Sequence, residues 1–361
     1  FMSAPIYSVS EWKSSCFDMI IDVRAPEEFQ IDHIPSAVNM PVLTDTQRAE
    51  VGTIYKQVSP FEARKLGASY ISHNISVHLK NGLLEKNKDF MPLVYCWRGG
   101  QRSGAFNRIL SEIGWQTYQL KGGYKAYRQG VINQLNACSA NLKLVVLAGY
   151  TGAGKTKVLN VLRQRGEQVI DLEQLAGHRG SLLGKINHKK QPSQKQFESD
   201  ILSTLDQMTT LKHIYVEAES STIGNLMLPA AIWQKLKSAP VIWLEVPLDS
   251  RSDFLMEEYA WLIEKSDTFN QLLKLIKRKG DFRLAELVAE NISRNEWKLV
   301  AENLLSGYYD PAYRKSLKRS QALKLAEITQ DNCSSCAINA TAGTIIRIVG
   351  CLLYTSPSPR D

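Results

Sequence analysis

The chain has 361 residues, of which 44% are hydrophobic and 22% are charged, an ordinary globular composition that leaves room for two or three domains. Its formal net charge of +8 favours an acidic partner such as nucleic acid. The six cysteines are scattered and we expect no secretory segment, so the composition argues against a disulfide framework and predicts a cytoplasmic setting.

In the first 135 residues, short apolar runs alternate with helical stretches, and this alternation predicts an α/β domain with a parallel sheet. Strands are predicted at 19–23 and 91–96, and the segment 115–135 is predicted to supply one more strand, a glycine turn and a closing helix. A helix is predicted between Ser103 as its N-cap and Gly114 as its C-cap. The polar, small-residue stretch 136–141 is the predicted linker to a second domain.

A cysteine in a loop rich in glycine and arginine follows the second of these strands, in the sequence YCWRGGQRSG. Cys96 is the predicted catalytic thiol, surrounded by Arg98, Gly99, Gly100 and Arg102. Positive charge, backbone N–H groups and the start of a helix all stabilise a thiolate. The spacing from cysteine to arginine is shared by cysteine phosphatases and by rhodanese-type carriers, whose cysteine holds a persulfide or its selenium analogue.

Two upstream segments favour the rhodanese interpretation. IIDVRAPEEF and DHIPSAVNMP resemble the signature segments that precede the active loop of rhodaneses. We expect their Asp22, Arg24 and His33 to serve the fold rather than the chemistry. The phosphatase interpretation lacks the histidine often found before the cysteine, since Tyr95 occupies that position.

The second domain begins with a complete phosphate-loop motif, GYTGAGKT, between a predicted buried strand and a predicted helix. Glycines let successive N–H groups face one anion, and the lysine adds a point charge. The predicted phosphate-binding residues are Gly149, Gly152, Gly154, Lys155 and Thr156. Thr156 is also placed to bind Mg²⁺ if that ion takes part. Glu217 and Glu219 end a later strand as candidate carboxylates, although the sequence alone defines no metal site.

Strand and helix patterns extend this P-loop α/β domain over residues 142–330, with a helical, basic part from about residue 250. From Leu272 to Glu327, basic residues outnumber acidic ones, and this predicts contact with RNA phosphates and unstacked bases. A solvated basic face with core aromatic residues is the alternative. The interleaved aromatic residues are Phe282, Trp297, Tyr308, Tyr309 and Tyr313.

The final segment, residues 331–361, is predicted to be irregular. Cys333 and Cys336 form a lone CxxC without further ligands, so we expect no zinc site there. The stretch TIIRIVGCLLY is about half as long as a membrane span, so we expect no membrane contact. The last residues, CLLYTSPSPRD, break the composition abruptly, and we interpret them as non-native sequence.

From about residue 20 to 313 the motifs together resemble those of bacterial tRNA 2-selenouridine synthases. The resemblance implies a rhodanese-like domain fused to a P-loop domain, acting on wobble 2-thiouridine in the tRNA anticodon loop. It implies that geranyl diphosphate alkylates the sulfur and that selenium from selenophosphate then replaces the geranylthio group. Further segments that carry the resemblance are AEVGTIYKQ, KLGASY, LKGGYKAYR, DLEQLAGHRGSLLG, EAESSTIG and YYDPAY.

The resemblance also implies roles for single residues. Cys96 matches the family's essential cysteine, which we expect to carry selenium covalently, and Gly67 matches a glycine implicated in function. The phosphate loop is expected to hold the prenyl diphosphate. From its charges and glycines, the segment that contains Arg179 is predicted to fold over the diphosphate, with Arg179 stabilising the leaving group; a plain loop with exposed charges is the alternative. Other expected contacts to substrate or leaving group are Asp171, Glu173, His178, Glu217 and Glu219. A source of selenophosphate is an expected partner besides tRNA.

Two other functions stay open on the sequence. One is a rhodanese-type tRNA sulfurtransferase coupled to an ATP-using P-loop domain. The other is a catalytically idle RNA-binding or regulatory protein, and the intact Cys96, Lys155 and Thr156 argue against it.

Overall fold

The structure is a computed structural model that describes residues 3–98, 100–178, 190–258, 260, 266–317 and 323–355. The chain divides into two compact units. The first comprises Phe1–Leu135 together with Pro192–Ser203, and the second comprises Asn136–Gln191 together with Thr204–Asp361. A short segment that follows the phosphate loop in sequence therefore belongs to the first unit.

The first unit is built on a parallel sheet with a buried central strand. Its elements in chain order are β1 (Ile6–Val9), β2 (Met19–Asp22), α1 (Pro26–Ile31), β3 (Val38–Asn39), α2 (Asp45–Gln57), α3 (Pro60–His78), β4 (Pro92–Tyr95), α4 (Gln101–Ile113), β5 (Thr117–Leu120) and α5 (Gly123–Ser139). The five strands lie in the order β1-β5-β4-β2-β3. All four residues of β4 are buried, as expected of a central parallel strand. The predicted α/β class is confirmed here.

The second unit has the same design around the strand that precedes the phosphate loop. The remaining elements in chain order are β6 (Leu144–Gly149), α6 (Lys155–Gln164), β7 (Gln168–Ile170), α7 (Leu172–Ala176), α8 (Gln194–Asp206, most of which belongs to the first unit), β8 (Ile214–Glu217), β9 (Thr222–Ile223), β10 (Leu226–Met227), α9 (Ala230–Ser238), β11 (Val241–Glu245), α10 (Leu248–Glu258), α11 (Ser266–Arg278), α12 (Phe282–Ser293), α13 (Trp297–Leu304), α14 (Asp310–Leu317), β12 (Lys324–Thr329) and α15 (Ser335–Thr355). Its parallel strands lie in the order β12-β11-β6-β8-β7, and β9 and β10 form a separate hairpin. All six residues of β6 are buried.

Helix α8 starts in the first unit and ends in the second. Within the first unit, the Ser199 hydroxyl donates to the buried Asp32 carboxylate at 2.9 Å, and Glu198 forms an ion pair with Arg128. The Tyr124 hydroxyl donates to the second Asp32 oxygen at 2.8 Å. A carboxylate without water needs such partners, so α8 completes the polar interior of the first unit.

The helical part from α11 to α14 has a hydrophobic core of its own. Phe269, Leu272 and Ile276 of α11 pack against Val288 of α12 and Val300 of α13. The helical part predicted from about residue 250 does not continue to residue 330, because 324–329 form strand β12 at the edge of the sheet beside β11. The predicted linker 136–141 is helical up to Ser139, the last residue of α5.

The prediction of an irregular tail is wrong for residues 335–355, which form α15. Ile338, Ala342, Ile345 and Val349 recur at helical spacing and are buried with Val158 and other residues of the P-loop core. Small residues between them hid this apolar stripe in the sequence. No helix in the described part of the chain is long and apolar enough to cross a membrane. The last residues, 356–361, lie outside the described residues.

We expect Ile345→Ala to lower the free energy of unfolding of the full chain by about 2–5 kcal/mol, because it leaves a cavity in the P-loop core. Arg347→Ala, two residues away on the exposed side of the same helix, is the matched control and should change it by less than about 0.5 kcal/mol. Urea unfolding followed by circular dichroism measures both. Equal, small effects would mean that α15 does not pack on this core.

Candidate functional site

The thiol loop begins where the central strand of the first unit ends. Cys96 follows β4 directly and is only 4% exposed. Its carbonyl accepts a hydrogen bond of 2.8 Å from the Tyr124 N–H at the start of α5. The Trp97 carbonyl accepts one of 3.0 Å from the Lys125 N–H. The loop is thereby fixed at the carboxyl edge of the sheet, where open α/β sheets bind their ligands.

Hydrogen bonds lower the pKa of the Cys96 thiol, although burial alone would raise it. The Ser103 hydroxyl donates to Sγ at 3.3 Å. Backbone N–H groups of Gly100, Ser103 and Arg98 contribute further hydrogen bonds. These groups belong to the N-terminal turn of α4 and the loop before it, where the helix dipole also favours negative charge. The site therefore favours the thiolate, which is the nucleophilic form.

Ser103 is a functional residue that the sequence pattern misplaces. The predicted N-cap role is wrong, because α4 starts at Gln101 with Gly100 as its N-cap, and Ser103 is buried inside the first turn. The Ser103 hydroxyl accepts from Gln119 Nε2 at 2.9 Å while it donates to the Cys96 sulfur. Gln119 thus holds the Ser103 oxygen in place, and the Ser103 proton has two acceptors within reach, the Cys96 sulfur and the Gly100 carbonyl at 3.4 Å. This link depends on β5 lying beside β4, which the sequence does not reveal.

The two arginines of the thiol loop have different environments. Arg102 pairs with Glu28 at 2.9 Å, and this pairing lowers the pKa of Glu28 against the effect of burial. Arg98 is exposed and forms no ion pair with any other described residue. Gly100 is exposed, and Gly99 lies outside the described residues. Arg98 is therefore the loop cation that an incoming anion can reach.

The residues expected to serve the fold of the first unit do so. Asp22 and Arg24 form a buried ion pair of 2.6 Å at the end of β2. The Arg24 guanidinium also donates to the Asp32 carbonyl and lies 3.9 Å from the centre of the Tyr124 ring. His33 stacks on a neighbouring ring and bonds a backbone carbonyl. Asp22, Arg24 and His33 therefore all have partners within the fold of the first unit.

Gly67 lies inside α3, where that helix meets α2. A Cβ built on Gly67 would lie 3.6 Å from Val51 Cγ1, an ordinary van der Waals distance. The position therefore suits a small residue between two packed helices. A contact of Gly67 with substrate stays a prediction.

The phosphate loop lies at the carboxyl end of β6. Gly152 and Gly154 have φ angles of 85° and 71°, in the left-handed region that favours glycine. A Cβ on Gly152 would lie 3.0 Å from the Arg251 carbonyl oxygen, and one on Gly154 would lie 3.0 Å from Ile338 Cδ1. The φ angles therefore favour glycine at both positions, and at Gly152 the Arg251 carbonyl also restricts the space for a side chain.

Lys155 and Thr156, the first residues of α6, both contact Glu217 at the end of β8. Lys155 Nζ donates to the Gly149 and Tyr150 carbonyls at 3.1 and 3.4 Å and lies 3.5 Å from Glu217 Oε1. Thr156 Oγ1 donates to Glu217 Oε2 at 3.1 Å. A carboxylate thus holds the ammonium and hydroxyl groups that this motif supplies to a phosphate and its metal ion.

Three carboxylates lie together beside these groups. Ligand oxygens of Glu173, Glu217 and Glu219 are within 4.8 Å of one another. Burial raises the pKa of Glu217 to about 7, although Lys155 opposes the shift. Burial and the two other carboxylates raise the pKa of Glu219 well above its usual range. A divalent cation would relieve this repulsion, so the oxygen-rich cluster fits Mg²⁺.

Asp171 and His178 flank α7, the short helix that carries Glu173. Asp171 is the N-cap of α7 and accepts from the Gln174 N–H at 2.8 Å. The His178 N–H donates to the Glu173 carbonyl at 3.1 Å. Both residues therefore position Glu173. Arg179 lies outside the described residues.

Arg251 and Asp310 form a buried ion pair that supports the phosphate loop. Two parallel hydrogen bonds of 3.0 and 2.8 Å join the guanidinium to the carboxylate. The same guanidinium donates to the Thr151 carbonyl at 3.1 Å and lies 5.1 Å from the centre of the Tyr150 ring. Sequence reasoning missed Arg251, because nothing in its local pattern indicates burial.

Helix α14 adds further contacts beside this ion pair. The Arg314 Nε–H donates to the Tyr150 hydroxyl at 2.8 Å. Tyr313 forms a hydrogen bond with the Gly149 backbone, and its ring centre lies 5.9 Å from that of Tyr150. One face of α14 thus holds the first residues of the phosphate loop.

Most of the aromatic residues predicted to contact RNA pack inside the second unit. Tyr308 is buried in the helical core, and Trp297 and Tyr309 pack against that core. Tyr313 contacts the phosphate loop, as described above. The core interpretation is therefore correct for Tyr308, Trp297 and Tyr309. Of the five residues, Phe282 is the one that is largely exposed.

We expect Ser103→Ala to raise the pKa of Cys96, because the thiolate loses a side-chain hydrogen bond. In the wild type, the pH midpoint of Cys96 alkylation by iodoacetamide should lie below that of an ordinary thiol, near 8.5. Peptide-resolved mass spectrometry separates Cys96 from the exposed Cys16, which is an internal reference. An unchanged midpoint in the variant would exclude this role of the Ser103 hydroxyl.

We expect Asp310→Asn to lower the free energy of unfolding by about 3–5 kcal/mol, because it leaves the buried Arg251 charge without a carboxylate. Glu290→Gln removes a partner from the exposed pair with Arg294 and should cost less than about 1 kcal/mol. Denaturant unfolding of both variants makes the comparison. Equal losses would contradict the support that we assign to the buried pair.

Family models match both parts of the chain. The model described as tRNA 2-selenouridine synthase AAA domain matches residues 142–342, and the rhodanese-like domain model matches residues 8–130. The first match includes β12 and the start of α15, in the part of the chain where no family pattern was recognised in the sequence.

Proteins named tRNA 2-selenouridine synthase are similar along most of their length. One from Bdellovibrio bacteriovorus is 35% identical over 357 residues, which cover 86% of this chain and 92% of the relative. One from Nitrosomonas europaea is 33% identical, covering 83% and 89%. One from Shewanella denitrificans is 34% identical, covering 84% and 89%. The chain therefore belongs to the tRNA 2-selenouridine synthase family.

Proposed function

We propose that this chain is a tRNA 2-selenouridine synthase, which replaces the sulfur of wobble 2-thiouridine by selenium in two steps. The observation that carries the proposal is the presence, in one member of this family, of two separate anion-stabilising loops. One loop presents a thiol with a lowered pKa, and the other presents an intact phosphate-binding motif. Each loop suits one of the two steps.

The first step is S-alkylation by geranyl diphosphate. The thiouridine sulfur attacks the C1 carbon of the geranyl group, a C–S bond forms, and the C–O bond to diphosphate breaks. N3 of the base loses its proton, so the product is neutral S-geranyl-2-thiouridine. Backbone N–H groups of the phosphate loop and the Lys155 ammonium stabilise the departing diphosphate. The Lys155 ammonium exchanges its contact with Glu217 for one with the diphosphate, because the diphosphate carries more negative charge than a single carboxylate.

A Mg²⁺ ion fits the proposal because Glu173, Glu217 and Glu219 offer clustered oxygens next to the Thr156 hydroxyl. These four residues would hold the ion. Bound there, the ion would supply further charge stabilisation for a diphosphate. The carboxylates must be deprotonated to serve as ligands, so binding should strengthen as the pH rises through about 7, the pKa of Glu217.

The second step replaces the geranylthio group. Selenium from selenophosphate bonds to C2 of the base, the C2–S bond breaks, and geranylthiol leaves. Water takes the phosphoryl group, so the P–Se bond breaks and phosphate is released. Alkylation makes this possible, because a thiolate leaves far more readily than the sulfur of a thione. We propose that Cys96 is the catalytic thiol here and that Arg98 attracts the selenium donor.

We expect the two steps to be separable by mutation. Lys155→Gln should slow geranylation of 2-thiouridine tRNA by roughly 10²–10³-fold, because the leaving diphosphate is no longer stabilised by the positive charge of the lysine. The same variant should still convert tRNA that has been geranylated beforehand. Cys96→Ser should geranylate at the wild-type rate and convert geranylated tRNA at least about a hundredfold more slowly. Nucleoside mass spectrometry after digestion measures both products.

Cys16→Ser, at an exposed free cysteine, is the matched control and should leave both steps unchanged. Geranylation that requires ATP, or 2-thiouridine formation in place of selenation, would favour a sulfurtransferase with an ATP-using domain. An enzyme that performs neither step would favour an idle RNA-binding protein. A Cys96→Ser enzyme that converts geranylated tRNA at the wild-type rate would exclude Cys96 from the second step. A mass increase on the Cys96 peptide after incubation with selenophosphate and a disulfide oxidant, which accepts the two electrons that perselenide formation releases, would identify covalent selenium.

A further inference from the structure

The turn between α11 and α12 concentrates positive charge on the second unit. Its seven residues, Lys277 to Arg283, read KRKGDFR. All seven are exposed. None of the four cations in this turn forms an ion pair with another residue that the structure describes; they are Lys277, Arg278, Lys279 and Arg283. We refer to residues 277–283 as the basic turn.

The backbone brings these side chains together by reversing direction sharply. Gly280 has a φ of 90°, the conformation with which glycine ends many helices. The Gly280 N–H donates to the Lys277 carbonyl at 3.0 Å, and the Asp281 N–H donates to the Ile276 carbonyl at 3.4 Å. Asp281 then starts α12. The cations therefore project from one tight corner and not from an extended chain.

Stability of the fold accounts for only part of this charge. The Lys279 ammonium lies 4.3 Å from the centre of the Tyr308 ring, which is a stabilising contact. Lys277 and Arg278, at the end of α11, are placed favourably for the helix dipole. Arg283 has the opposite placement, because it lies in the first turn of α12, where a cation is unfavourable. The one nearby carboxylate, Asp281, accepts from the Leu284 N–H at 3.0 Å as the N-cap of α12. It therefore already serves the helix end.

An exposed aromatic ring stands in the same turn. Phe282 is 61% exposed, whereas Phe269 and Tyr308 of the same helical part are buried. A buried aromatic side chain contributes strongly to the stability of a protein. Because Phe282 is mostly exposed, it contributes little to stability in this way. A ring with a free face among cations is the combination that binds single-stranded nucleic acid, since bases stack on the ring and phosphates pair with the cations.

We propose that the basic turn is an RNA-binding surface, which contacts the phosphates of tRNA through its cations and stacks one unpaired base on Phe282. This proposal rests on the proposed function, since tRNA is the RNA in question. An acidic protein would also be attracted by the charge, but it offers no base to stack on the ring. The basic turn would thus bind tRNA, and it includes neither Cys96 nor any residue of the phosphate loop.

The test is the binding of full-length enzyme to unmodified tRNA over a series of salt concentrations. Arg278→Gln/Arg283→Gln should weaken binding and reduce the slope of log K against log salt by roughly 0.7 per lost phosphate contact. Phe282→Ala should weaken binding at least about fivefold and leave that slope unchanged, because stacking releases no counterions. Lys212→Gln/Arg347→Gln removes the same charge from exposed positions elsewhere in the second unit and is the matched control.

At saturating tRNA the turn variants should geranylate at the wild-type kcat with a raised KM, since they leave the phosphate loop intact. A tRNA affinity unchanged in both turn variants would overturn the proposal while wild-type geranylation still supports the proposed function. Absence of tRNA modification by the wild type would instead refute the proposed function. Weakened binding of poly-L-glutamate in the charge variant, with no effect of Phe282→Ala on tRNA, would assign the turn to acidic polymers in general and also overturn it.

Discussion

Both loops share one electrostatic property, which is that each is suited to stabilise a negative charge at the end of a buried parallel strand. Neither loop does so mainly with side-chain cations. Around Cys96 the donors are backbone N–H groups and the Ser103 hydroxyl, while Arg102 is occupied by Glu28. In the phosphate loop, glycine conformations expose the backbone, and Lys155 is held by Glu217. Fixed dipoles need no reorganisation when the anion forms, which is why such sites are effective.

The two loops and their strands could be predicted from the sequence, because their information is local. A buried strand followed by glycines and a helix is a pattern of consecutive residues, and β4 and β6 appear where that pattern places them. The carboxylate cluster was visible in part, since Glu217 and Glu219 end a recognisable strand. Its third member, Glu173, joins the cluster only through the fold, which places α7 beside the end of β8.

What the sequence did not reveal depends on partners distant in the chain. The sequence predicts a helix cap at Ser103, because serine is common there, but Ser103 is bonded to Gln119 of strand β5. Arg251 resembles a surface residue until Asp310 is placed beside it. The apolar stripe of α15 was hidden by the small residues around it, and burial against α6 makes it a core element. In each case, the role of the residue depends on a packing partner that the local sequence does not indicate.

Helix α8 has a consequence for the order in which this chain acquires its structure. The first unit needs Ser199 for the buried Asp32, yet Ser199 is synthesised after the phosphate loop and its helix. During translation, the rhodanese-like sheet therefore emerges with an interior carboxylate that still lacks one of its hydrogen-bond donors. Folding proceeds domain by domain in most proteins of this size, but here the last piece of the first unit arrives from within the second. Neither unit is a contiguous stretch of chain, so they are made as interleaved parts of one polypeptide.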